Sequence, residues 1–151
     1  MALDTIASLG DGPGSRCTYS INLSGQSAAD ATLKGYIAEE IERSGVDPAR
    51  LWFELTETAA IAHFSTARDL LAHLHAPGAR VALNDFGSGL SSFGYLKNLP
   101  IDVIKIDGQF VRGIVDDRAD REMVRAIHHV GRAMGVETAM ALLGEPVRRA
   151  A

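Results

Sequence analysis

The 151-residue chain holds one cysteine, Cys17, which excludes an internal disulfide and a cysteine-rich metal centre and points to a reducing, cytoplasmic setting. No stretch approaches the roughly 20 apolar residues that span a bilayer. The start, Met1-Ala2-Leu3-Asp4, lacks a basic region leading into an apolar core, so no membrane association is expected. Lys and Arg number 15 against 19 Asp and Glu, a formal charge of −4, and form no dense cluster. A nucleic-acid polymer or an anionic membrane is therefore not expected as a partner, whereas a small anionic ligand is compatible. The five histidines show no ligand spacing: His73 and His75 lie two apart, and His128 and His129 are adjacent, so neither pair shares a helix face. They are expected at the surface.

What the chain has is apolar content, 46%, enough for one domain with a sizeable core. Residues 1–16, with the turn signal Asp11-Gly12-Pro13-Gly14, read as a flexible leader, residues 17–144 as the domain and residues 145–151 as a C-terminal tail. Within the domain, strands and helices alternate. Residues 17–23 form a strand, and Leu33, Ile37 and Ile41 mark a helix ending near Gly45. Leu51 to Leu55 form a bulky strand, and Ala67, Leu70, Leu71 and Leu74 a helix stopped by Pro77-Gly78. Further strands are expected over residues 80–84 and 101–106. A loop with a short helix joins them, and a helix over 116–134 has Met123, Ile127, Val130 and Met134 on its packed face. A fifth strand is expected near Val136.

This alternation defines an α/β protein whose parallel strands are joined by helical crossovers and buried on both faces. Periodicity alone does not separate an open doubly wound sheet from a (β/α)₈ barrel. The polar residues favour the barrel, because Asn22, Glu54, Asn84-Asp85 and Lys105 each stand where a strand runs into a loop, as reacting groups do at successive strand ends of a barrel. About five βα units fall short of eight, so either the sheet stays open or strands are missing.

Each residue also has a plainer reading. Asn22 suits a turn, Asp85 a cap, Gly87-Ser88-Gly89 a tight turn and Lys105 a strand edge. Glu54 is different, since a carboxylate among Trp52, Phe53 and Leu55 is costly to bury without a partner.

Taken in order, Asn22-Leu23-Ser24, Glu54-Leu55-Thr56-Glu57, Asp85-Phe86-Gly87-Ser88-Gly89 with Ser91-Ser92 and Tyr95-Leu96, and Lys105-Ile106-Asp107 with Phe110-Val111 resemble the EAL-domain family of cyclic di-GMP phosphodiesterases over roughly residues 18–140. The resemblance implies a TIM-like barrel that binds two divalent cations, Mg²⁺ or Mn²⁺, and hydrolyses cyclic di-GMP to linear pGpG. Hard cations take oxygen ligands, activate water and neutralise phosphodiester charge. By resemblance Asn22, Glu54, Asn84 and Asp85 occupy metal positions, and Lys105 and Glu54 catalytic ones. Lys105, Asp85 and Ser88 would face substrate, and Glu57 would stabilise the loop after Asp85.

Three departures fall on acidic positions of that pattern. No Glu-Ala-Leu motif precedes Asn22, the family's paired aspartates appear as Asn84-Asp85, and Met140-Ala141-Leu142-Leu143-Gly144 stands where the family carries Ala-Glu-Gly-Val-Glu. An amide cannot supply a bridging carboxylate's charge between cations about 4 Å apart, so metal binding is expected to be weakened. The expectation is a degenerate, truncated module, catalytically impaired, acting by binding cyclic di-GMP or by interaction as a homodimer or with a signalling protein. The alternatives are an active phosphodiesterase completed by another chain and a non-functional remnant.

Overall fold

A computed structural model describes residues 18–89 and 93–140 together with the backbone of 148–149. The expected leader over 1–16, Cys17, Ser91-Ser92 and the stretch from Ala141 to Gly144 lie outside the described residues. Five strands run parallel in the order of the chain: β1 (Tyr19–Leu23), β2 (Leu51–Thr56), β3 (Arg80–Phe86), β4 (Val103–Ile106) and β5 (Glu137–Met140). Strand order never reverses, which is the winding of a barrel wall rather than of a doubly wound sheet. A two-residue strand, β6 (Arg148–Arg149), pairs antiparallel with β5 inside the segment read as a tail.

Between the strands lie α1 (Gly25–Ala29), α2 (Leu33–Ser44), α3 (Glu57–Ala62), α4 (Phe64–His75), α5 (Gly108–Gly113) and α6 (Arg118–Met134). Short 3₁₀ turns occupy Pro48–Arg50 and Phe93–Asn98. The caps are written locally. The Asp47, Asp107 and Asp117 carboxylates and the Thr56 hydroxyl each accept from backbone N–H groups opening the next helical turn. Gly45 and Gly135 close α2 and α6 in the left-handed conformation. Sequence periodicity passes over α1, α3 and α5, which are about two turns or shorter and cannot display a full apolar stripe. No described helix is long and apolar enough to cross a membrane.

The expectation of a sheet covered on both faces is corrected. Alternate strand residues, among them Phe53, Leu55, Leu83, Ile104 and Ile106, join the helices in one large core. On the opposite face, among the described residues, only Ala82, Val103, Ala139 and half-buried Trp52 cluster, and no helix residue joins them. That face also carries Ser20, Asn22, Glu54, Arg80, Asn84, Lys105 and Glu137, a polar set suited to the concave interior of a barrel wall. The Arg80 guanidinium stacks 4.4 Å from the Trp52 ring centroid and pairs with Glu137 at 3.1 Å, tying β2, β3 and β5 together on this face.

Two smaller expectations also change. Met123 is 42% exposed, and the buried face of α6 runs instead through Ile127 and Gly131, with Val124 and Met134 packed beside it. Gly131 is silent in apolar periodicity, yet a Cβ there would come within 2.7 Å of Thr138 and 3.1 Å of the Val136 carbonyl. Its missing side chain is what lets α6 approach β5. The histidines are not all idle surface groups: His128 Nδ1 lies 2.6 Å from Thr138 Oγ1, and His75 Nε2 lies 3.3 Å from Asp102 Oδ1. His128 neighbours the buried face of α6 in the chain, which turns its ring toward β5.

Candidate functional site

Register brings the strand-tip residues together. Asn22 is paired with Glu54 across β1 and β2, and Thr56 with Asn84 across β2 and β3. Between β3 and β4 the pairing slips: Leu83 faces Ile104, but the next matched pair is Phe86 and Ile106. One extra residue therefore sits in β3, a bulge that returns Phe86 to the helix-side core. Asn84 and Asp85 are the two residues between, and Asp85 adopts φ +54°, a left-handed conformation costly to most residues but within reach of Asp. The Ser88 hydroxyl donates to the Asp85 carbonyl at 2.8 Å and the Ser88 amide to the same oxygen at 3.3 Å, which holds this turn.

Glu54 is the centre of the cluster and is 6% exposed. Its Oε1 accepts from the Ser20 hydroxyl and from the Lys105 ammonium, while its Oε2 accepts from Asn84 Nδ2 at 2.7 Å. The same Asn84 nitrogen lies 3.5 Å from Asn22 Oδ1, and Asn84 Oδ1 is buried without a partner. Burial pushes the Glu54 carboxyl up. Hydrogen bonds from Lys105, Ser20 and Asn84, with the Lys105 charge, outweigh it and leave the group below its usual range. Two neutral donors and one cation thus satisfy the buried carboxylate that sequence composition made costly.

Asn22, Glu54, Asn84 and Lys105 are therefore joined in one network. Asp85, next to Asn84 in the chain, and Ser88 are exposed and take no part in its hydrogen bonds among the described residues. Glu57 lies apart, 1% exposed at the start of α3, accepting from the Gly87 amide at 3.0 Å and from the Tyr95 hydroxyl. On the same face a half-open pocket of ≈ 280 Å³ lies between Ser20, Trp52, Glu54, Lys105 and Glu137. Among the described residues, no three His, Cys, Asp or Glu side chains come together in a way that could hold a metal ion. Ser20 is a site residue that the strand-tip pattern passes over, although its place two before Asn22 on the same strand face was a signal for it.

A singly wound parallel wall with polar strand tips and a buried Lys–Glu pair has the architecture of one side of a TIM-like barrel. The family model described as "EAL domain" matches residues 2–142, and the chain belongs to the EAL-domain family. It is 41% identical over 119 residues to cyclic di-GMP phosphodiesterase PdeB of Shewanella oneidensis, covering 79% of this chain and 14% of that one. It is 35% identical over 114 residues to cyclic di-GMP phosphodiesterase PdeF of Escherichia coli, covering 76% and 15%. The chain thus spans about one-seventh of the length of these curated relatives. A solved structure of the PaMucR phosphodiesterase in complex with c-di-GMP superposes with TM-score 0.82 at 30% identity, over 92% of this chain and 56% of that one. The FimX EAL domain of Xanthomonas citri, also with c-diGMP, shares the fold with TM-score 0.80 at 24% identity, over 96% and 57%.

Proposed function

We propose that this chain is an EAL-type module that binds cyclic di-GMP and whose hydrolysis of it is impaired. The observation that carries the reading is the engagement of Glu54: both carboxylate oxygens already receive donors, Lys105 and Ser20 on one and Asn84 on the other. A metal pair in this place does not fit. Two divalent cations would meet the carboxylates of Glu54 and Asp85 and the amide oxygens of Asn22 and Asn84, too little negative charge for ions about 4 Å apart, with the Lys105 ammonium beside them. The Asn84 amide also presents N–H hydrogens to Glu54, where a bridging carboxylate would present only acceptors. These residues therefore offer no route for a two-metal hydrolytic step.

Binding is a separate matter. The Lys105 ammonium suits a phosphodiester oxygen, and Asp85 and Ser88 are exposed and open to a ligand's polar edge. Support for the ligand class comes from the relatives, two of which are named cyclic di-GMP phosphodiesterases, and from the PaMucR complex at 30% identity. The domain carrying this function is taken as residues 17–144, in the cytoplasm. A second copy or a signalling protein is its proposed partner, since the β1 edge has no neighbouring strand among the described residues.

The test is to incubate the pure protein with cyclic di-GMP and Mn²⁺ or Mg²⁺ and to follow linear pGpG, with calorimetry of cyclic di-GMP in Ca²⁺ alongside. Binding without turnover is expected. Turnover abolished by Glu54→Ala would replace the impaired reading with that of an active phosphodiesterase.

A further inference from the structure

Gly87, just past the bulged end of β3, and Tyr95, in the 3₁₀ turn that follows, meet on a single buried carboxylate. Gly87 N donates to Glu57 Oε2 at 3.0 Å, and the Tyr95 hydroxyl donates to Glu57 Oε1. Glu57 stands in the first turn of α3. The Tyr95 ring is itself braced, edge-on to Phe64 with centroids 6.5 Å apart and planes at 85°. Burial, then the hydrogen bond and charge of Glu57, push the Tyr95 phenol well above its usual range, so it remains a donor.

The turn held at Gly87 is conformationally demanding. Asp85 lies at φ +54° and Gly87 at φ +95°, and a Cβ on Gly87 would come within 2.9 Å of the Phe110 ring. Such left-handed positions persist when surrounding contacts over-determine them. A carboxylate free to rotate about its terminal torsion would share its oxygens among several orientations; a donor on Oε1 leaves Oε2 aimed at Gly87.

We propose that Tyr95 is a positioning residue for the Asp85 end of the site: its hydroxyl orients Glu57, and Glu57 through the Gly87 amide holds the turn that presents Asp85. Its consequence for ligand rests on the reading of Asp85 as a ligand-facing group, whereas its consequence for the Gly87 amide does not. Tyr95 acts through Glu57 and Gly87 rather than on the ligand itself.

Amide hydrogen exchange and cyclic di-GMP calorimetry in Ca²⁺ test this on the full chain, comparing wild type, Tyr95→Phe and Phe64→Leu. Tyr95→Phe is expected to speed exchange of the Gly87 amide about tenfold and to weaken cyclic di-GMP about tenfold, the loss of one hydrogen bond to a charged group, while β4 amides keep their protection. Phe64→Leu removes ring packing but leaves the hydroxyl. It should lower the melting temperature yet leave Gly87 exchange and affinity within about twofold of wild type. Glu57→Gln supplies a second check, because its oxygen can accept from Gly87 while its amide donates to the Tyr95 oxygen; protection of Gly87 should largely survive in Glu57→Gln and collapse in Glu57→Gln/Tyr95→Phe. Unchanged Gly87 exchange in Tyr95→Phe, or an equal effect from Phe64→Leu, overturns the role given to Tyr95. A wild-type protein that binds no cyclic di-GMP overturns the ligand reading instead, and Gly87 exchange still decides Tyr95.

Discussion

Asn84→Asp sets a second carboxylate against Glu54, at the place where the amide nitrogen of Asn84 lies 2.7 Å from Oε2. Two like unit charges about 3 Å apart repel by roughly 5 kcal/mol at an effective dielectric of about 20. Lys105 on the opposite oxygen and uptake of a shared proton relieve part of this, leaving a metal-free variant weaker by about 2 to 3 kcal/mol. For a chain of this size that is a fall in melting temperature of about 4 to 12 °C. A divalent cation between the carboxylates reverses the sign, and at about 100 times its dissociation constant it restores roughly 2.7 kcal/mol. The wild type, with N–H donors facing Glu54, has no comparable repulsion to relieve. Thermal melts of both proteins in EDTA and in millimolar Mn²⁺ measure the difference directly. The charge reasoning is refuted if the variant melts with the wild type in EDTA, or if Mn²⁺ stabilises the wild type as strongly as the variant.

Four further outcomes follow from contacts in and beside the cluster. Lys105→Met strands Glu54 as a buried charge, both side chains being largely covered at 13% and 7% exposure, and denaturant titration should show a loss of about 3 kcal/mol. Glu54→Leu/Lys105→Met should recover most of that loss, a non-additivity expected of directly paired groups. Because Glu54 is depressed in the folded state, its contribution is complete above the ordinary glutamate range near about 4.3 and disappears as pH falls through its lower folded value. Acid titration of stability should therefore be shallower below that range in Glu54→Gln than in wild type. Gly87→Ala combines a φ of +95° with a 2.9 Å approach to Phe110, and equilibrium unfolding should register a cost of about 2 kcal/mol.

Much of the fold was legible because its signals are local. Leu33, Ile37 and Ile41, and Ala67, Leu70, Leu71 and Leu74, declare helices by spacing, and Gly45 marks where the first of them ends. The polar tips were legible for the same reason: Asn22, Glu54, Asn84 and Lys105 interrupt apolar strands. Less legible was which helix face packs, as Met123 shows, because Gly131 contributes to close packing through an absent side chain. Tyr95 appeared in the sequence only as part of a motif, and nothing in spacing tied its hydroxyl to Glu57, 38 residues away.

The α/β alternation, the family and the amide standing where a carboxylate would serve a metal pair are all written in the chain itself. Those follow from periodicity, side-chain chemistry and motif order, each readable within a few residues. Packing alone established that one sheet face is bare of helices among the described residues, that the bulge of β3 falls at Asn84 and Asp85, and that Lys105 rests on Glu54 across 51 residues of chain. Strand register and sheet curvature choose such partners, and both arise from packing summed over the whole wall rather than from any one segment.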